Sequence, residues 1–170
     1  MTRLALVPLA AAALLPVAAA ALPDGAPWPT AQHRSDACAS CHFGAAPVES
    51  STAFSVEGLD GPLQVGRTYT VHLRFSPDDG AVAGFLASFD SEDDGAGAVI
   101  AADGLESKGA AVRSTAVKTL AQGSTAWTFD WTAPDRQGPV TLLIAANAAN
   151  DDASPFGDTI HYASVPLEVQ

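Results

Sequence analysis

The stretch Thr68-Tyr69-Thr70-Val71-His72-Leu73-Arg74-Phe75 constrains the fold most tightly. In an extended chain, Tyr69, Val71, Leu73 and Phe75 fall on one face, with Thr70, His72 and Arg74 on the other. That is the signature of a half-buried strand. Pro77-Asp78-Asp79-Gly80 follows as a turn. Gly84 to Asp90 reads as a second strand containing Phe85 and Phe89, Ala98 to Ala102 as a shorter one, and Ala110 to Leu120 as one more. Thr125 to Thr132 alternates again, with Trp127, Phe129 and Trp131 on one side. Val140 to Ala146 is nearly all apolar and suits a central strand, whereas Pro166 marks Thr159 to Val169 as an edge. No amphipathic helix pattern follows residue 52. About seven or eight short strands predict an all-β, antiparallel, immunoglobulin-like β-sandwich over residues 53–170.

The residues ahead of it are different in kind. Met1-Thr2-Arg3 leads into an apolar run from Leu4 to about Ala21, and the small residues Ala18 to Ala21 precede the polar break Pro23-Asp24-Gly25. This is the pattern of a secretory signal peptide, expected over residues 1–21. Pro8 and Pro16 interrupt the run, which argues against an uncleaved anchor. The expected mature chain is exported, to the periplasm or to the cell surface and beyond, with no membrane insertion after cleavage.

Residues 22–52 are rich in Pro, Ala, Gly and Ser, an irregular segment. They hold Cys38-Ala39-Ser40-Cys41-His42, and these are the only two cysteines of the chain. The spacing C-x-x-C-H is that of covalent haem c attachment. Two thiols three positions apart can add to the two vinyl groups on one edge of a haem, and the next residue can offer an imidazole nitrogen to the iron. A short helical turn from Asp36 to His42 would present all three. Trp28 and Phe43 would shield a porphyrin or pack on the sandwich. The same cysteines could form a redox or structural disulfide. A structural zinc site would need a second Cys pair, which the chain lacks. The motif implies one haem c, and haem c is assembled outside the bacterial cytoplasm, where the expected signal peptide sends the chain.

Gly84-Phe85, Trp131-Thr132-Ala133-Pro134, Gly138-Pro139-Val140, Asn147-Ala148-Ala149-Asn150 and Gly157-Asp158-Thr159-Ile160 follow one another in order. Over about residues 54–170 the chain resembles the reelin-domain (Reeler) type of extracellular β-sandwich. It is more closely similar to exported bacterial proteins that carry a C-x-x-C-H segment just before such a domain. The resemblance implies a Reeler-type sandwich and an exported cytochrome-like protein, and it names no substrate. The disulfide cysteines of the animal domains are missing here.

The iron's second axial side separates the functional readings. The only methionine is Met1, which leaves with the signal peptide, so a His/Met pair is excluded once cleavage occurs. His161 follows the polar loop from Asn147 to Asp158 and is the first candidate for the distal ligand. His33 is the second: five extended residues reach about 17 Å, enough to pass around a haem edge. His72, on the polar face of its strand, reads as a solvated side chain. Two imidazoles, or an exposed haem, give a low-potential one-electron carrier serving a redox partner protein, rather than an enzyme. An open iron would make a five-coordinate haem sensor or a minor peroxidase. Without haem, the chain would be a non-redox extracellular module recognising glycan or protein.

The formal charge of -11 excludes nucleic acid and anionic lipid as electrostatic partners. Asp90, Glu92 and Asp94 occupy calcium-loop positions with Gly95 following, but Ala101 stands where the bidentate Glu belongs, so an EF-hand fails. Asp151, Asp152 and Asp158 remain as a loop of another kind. No nucleophile elbow or phosphate loop is present.

Overall fold

A computed structural model describes Trp28, residues 38, 39 and 41–91, and residues 95–170. The expected signal peptide, His33 and the acidic residues Glu92-Asp93-Asp94 lie outside the described residues. In chain order the strands are β1 (Phe43–Gly44), β2 (Phe54–Glu57), β3 (Thr68–Phe75), β4 (Val82–Asp90), β5 (Ala98–Ile100), β6 (Leu105–Lys108), β7 (Ala111–Ser114), β8 (Lys118–Thr119), β9 (Thr125–Thr132), β10 (Gly138–Ala149) and β11 (Phe156–Val169). They form two sheets. The larger runs β1-β11-β10-β4-β7-β6, with β8 beside β4; the smaller runs β2-β3-β9-β5. All pairings between strands are antiparallel except β1 on β11. The fold is the expected all-β sandwich.

Alternation decides what each sheet buries. Val71, Leu73 and Phe75 of β3 turn inward with Trp127, Phe129 and Trp131 of β9. They meet Phe85, Ala87 and Phe89 of β4 and Leu142, Ile144 and Ala146 of β10. Phe89 stacks on Trp131 with ring centroids 4.3 Å apart, and Phe85 lies 4.5 Å from Trp127. The Trp131 indole N–H would be stranded there, but it donates to the Ala96 carbonyl at 2.9 Å. Gly97 makes that approach possible. Its φ is +86°, and a Cβ would sit 2.1 Å from the Thr132 carbonyl oxygen.

β3 and β9 match the expected stretches. The others differ for physical reasons. β6, Leu-Glu-Ser-Lys, carries no apolar alternation and takes its place by pairing with β7. Residues 110–120 split into β7 and β8, which pair with separate parts of β4. β10 runs on to Ala149 because β4 and β11 flank it through to that end. β11 is nearly an edge, as Pro166 foretells. Among the described residues, only β1 and bridges from Val48 and Leu63 lie beyond it.

Candidate functional site

Residues 43–51 line the free side of β11. After β1, the Val48 N–H donates to the Ile160 carbonyl at 2.8 Å, and the Tyr162 N–H returns a bond to Val48 at 3.0 Å. The Ser51 N–H then reaches the Tyr162 carbonyl at 2.7 Å. Unpaired strand groups recruit a segment in this way. The C-x-x-C-H motif immediately before β1 is thereby held against the larger sheet. The Cys38 carbonyl accepts from the N–H groups of Cys41 and His42, both at 3.1 Å. That closes one helical turn, as the sequence predicts for this stretch, and gathers two thiols and an imidazole.

β10 and β11 pair in one unbroken register from Gly138–Val169 to Ala148–Thr159. Residues one apart along β11 therefore point to opposite faces of the sheet. Asp158, Ile160 and Tyr162 share the outer face with Ala145 and Asn147 of β10. Cys38 packs on Ala145, Ile160 and Tyr162, a small apolar cluster separate from the main core. Burial, with a further contribution from the neighbouring Cys41, pushes the Cys38 thiol up to about 11. A redox-active C-x-x-C needs the reverse, a thiol lowered toward the thiolate. No disulfide joins Cys38 and Cys41.

At the end of that face, His42 Nδ1 lies 2.6 Å from Asp158 Oδ2. The Asp158 side chain is only 2% exposed. A carboxylate only accepts, so Nδ1 carries the proton and donates it. The lone pair is then on Nε2, which makes no hydrogen bond among the described residues. A metal-ligating histidine ordinarily has this arrangement, with one nitrogen held by a carboxylate and the other left for the metal. Asn147 Nδ2 donates to the same Oδ2 at 3.0 Å and also lies 3.1 Å from His42 Nδ1, and the Asn150 N–H reaches Oδ1 at 3.4 Å. Gly157, at φ +84°, lets the chain enter the strand just before Asp158, where a Cβ would crowd Asn150 Nδ2 at 3.2 Å.

The donor set fits a haem. The porphyrin supplies four nitrogens, so the protein needs two thiols for attachment, one free imidazole nitrogen and an apolar wall. Cys38, Cys41 and His42 lie within one turn, beside Ala145, Ile160 and Tyr162. For the same reason, a haem does not need a cluster of three or more His, Cys, Asp or Glu side chains, and the described residues contain none.

The structure does not bring His161 to this place. Its odd position on β11 puts it on the inner face, opposite Asp158. There its Nδ1 meets Ser51 Oγ at 2.8 Å, and its ring packs edge-on against Phe75 at 5.1 Å. Burial holds the imidazole below its ordinary value, against an opposing pull from Asp78. The sheet itself lies between His161 and His42, so the structure does not bring these two expected ligands together. His72 is exposed on the smaller sheet, with Nδ1 3.1 Å from Thr128 Oγ1. His33 lies outside the described residues.

The sequence offers Asp158 only as a calcium-loop carboxylate and gives Asn147 no site role, so neither is expected beside His42. Both carry a readable signal: a polar residue at period-two spacing from Ala145, Ile160 and Tyr162, at the two ends of one hairpin. The calcium reading of that hairpin loses Asp158 to His42. Asp152 is engaged within the loop, accepting from Ser154 N–H at 2.8 Å and from Asn150 Nδ2 at 3.1 Å. Trp28 packs on the sandwich, with the Arg113 guanidinium 4.6 Å above its ring. A groove of about 680 Å³, lined by Leu59, Leu63, Val165 and Leu167 among others, opens between the β2 and β11 ends, away from His42.

No protein-family model and no curated protein matches the chain. Among solved structures, it is similar to the Reelin-N domain of F-spondin, with TM-score 0.54 and 20% identity over 80% of this chain and 97% of that one. A human F-spondin reeler domain aligns with TM-score 0.49 and 18% identity over 74% and 95%. The first likeness shows that the sandwich has the Reeler-type fold.

Proposed function

We propose that the chain is an exported haem c protein that passes single electrons to and from a partner protein. The supporting observation is His42, with Nδ1 bound to a buried carboxylate and Nε2 left over, in the same turn as Cys38 and Cys41. On this reading residues 1–21 direct export, 22–52 carry the haem and 53–170 form the supporting sandwich. A bound haem supplies the Fe(III)/Fe(II) couple. Cys38 and Cys41 anchor it as thioethers, His42 offers Nε2, and Ala145, Ile160 and Tyr162 exclude water from one side. His33 would be a candidate for a second iron ligand, and an open position is the alternative. The acidic chain favours a partner with a basic surface.

The test is covalent haem itself, in a host that matures c-type cytochromes. The unaltered chain should keep a haem stain through a denaturing gel, and the Cys38→Ala, Cys41→Ala double variant should lose it. A haem-free chain, beside a control cytochrome that is matured normally, refutes the reading. Carbon monoxide then reads the second axial side. A reduced spectrum unmoved by it supports the six-coordinate carrier, and a ready shift supports an open iron and the sensor or peroxidase reading.

The fold likeness favours a second reading, a non-redox extracellular module that recognises glycan or protein. It draws on the Reeler-type sandwich alone and leaves the His42–Asp158 pair without a task. Absence of haem in the same experiment would establish it over the first.

A further inference from the structure

Resting on haem attachment at Cys38 and Cys41, we propose that Asp158 makes His42 a strongly electron-donating axial ligand and that Asn147 moderates the effect. The sandwich would then set the potential of a group attached outside it.

The geometry carries both halves. The Asp158 carboxylate is nearly sealed from water, so its charge acts on the imidazole with little solvent screening. At 2.6 Å its oxygen draws on the Nδ1 proton and shifts electron density toward Nε2. A more basic ligand stabilises Fe(III) over Fe(II) and lowers the potential. Asn147 competes for the same oxygen, because its amide donates to Oδ2 at 3.0 Å. Asn147 Oδ1 is buried and makes no hydrogen bond among the described residues. The same Nδ2 also lies 3.1 Å from His42 Nδ1, so the amide crowds the His42–Asp158 bond at both of its atoms. Asn150 acts on the other oxygen, at a longer 3.4 Å. Asp158 is thus a positioning and tuning residue, not a catalytic one.

The two residues make predictions of opposite sign. Asp158→Asn keeps the shape and removes the charge, so the potential should rise. The expected change is roughly tenfold in the reduction equilibrium, or 59 mV for one electron. Asn147→Leu keeps the volume and removes the competing donor, so the potential should fall by a smaller step. Both are read by optical redox titration of the matured protein, with thermal melting to establish folding. A purely structural role would not split the signs. An unchanged potential in folded, haem-loaded Asp158→Asn overturns the inference and leaves haem attachment standing. Should Asp158→Asn fail to fold, the Asn147→Leu potential decides: a fall supports the inference, and no change or a rise overturns it. A haem-free unaltered chain overturns both this and the reading beneath it.

Discussion

The two faces of the β10–β11 pair each hold a histidine, and the two could hardly be used more differently. On the inner face His161 sits between a hydroxyl and the ring of Phe75, where burial favours its neutral form. On the outer face His42 donates to a buried carboxylate, which favours a proton on Nδ1 and electron density on Nε2. One histidine fills space and satisfies Ser51; the other holds Nδ1 on a carboxylate and leaves Nε2 without a hydrogen bond among the described residues. The partner decides between these roles. The partners in turn are decided by parity along β11, where Asp158 and His161 point to opposite sides. A single strand thus serves the core with one set of positions and the site with the next.

If the faces are independent, damage to one should spare the other. The largest effect is expected from Trp131→Ala, which removes a fully buried ring stacked on Phe89. It should cost about 3–5 kcal/mol in denaturant unfolding. Haem per folded molecule should not change. If haem incorporation falls while the folded fraction is held, the outer face depends on the aromatic core and the division fails.

A smaller effect tests the outer face. In the haem-free chain the Cys38 thiol is held at about 11 instead of 9.0, chiefly by burial. Two units mean about 100-fold less thiolate at pH 8, where the thiolate is the reacting species. Iodoacetamide labelling followed by mass spectrometry should find Cys38 about 100-fold slower in the folded chain than in urea. Equal rates would mean that Cys38 is not seated on Ala145, Ile160 and Tyr162.

Much of the fold was legible because alternation is a local property. Thr68–Phe75 and Thr125–Thr132 carry their faces in their own residues, and those two strands fall where expected. β6 was not legible, since Leu-Glu-Ser-Lys has no apolar face and its place comes from its neighbour. The site divides in the same way. Cys38, Cys41 and His42 are contiguous, so their joint chemistry is visible in the sequence alone. Asp158 is 116 residues from His42, and only the β1–β11 pairing brings them together. The place of His161 is hidden for the same reason. Its nearness in sequence to a polar loop suggested a shared site, but the parity that separates it from Asp158 appears only once the register is known.

The smallest effect sharpens the inner side of the comparison. Burial keeps His161 below its unfolded value of 6.5. As pH falls through that value, the unfolded chain takes up a proton that the folded chain still refuses, so stability falls. The loss begins near 6.5, continues down to the lowered folded value, and stops below it. Its slope cannot exceed about 1.4 kcal/mol per pH unit for one proton. His161→Gln keeps a partner for Ser51 Oγ and cannot titrate. Urea unfolding at a series of pH values should therefore show a shallower acid decline in the variant, with the two curves parallel above pH 7. An unchanged decline would mean that His161 is free to charge in the folded state, and the contrast with His42 would then rest on hydrogen-bond partners alone.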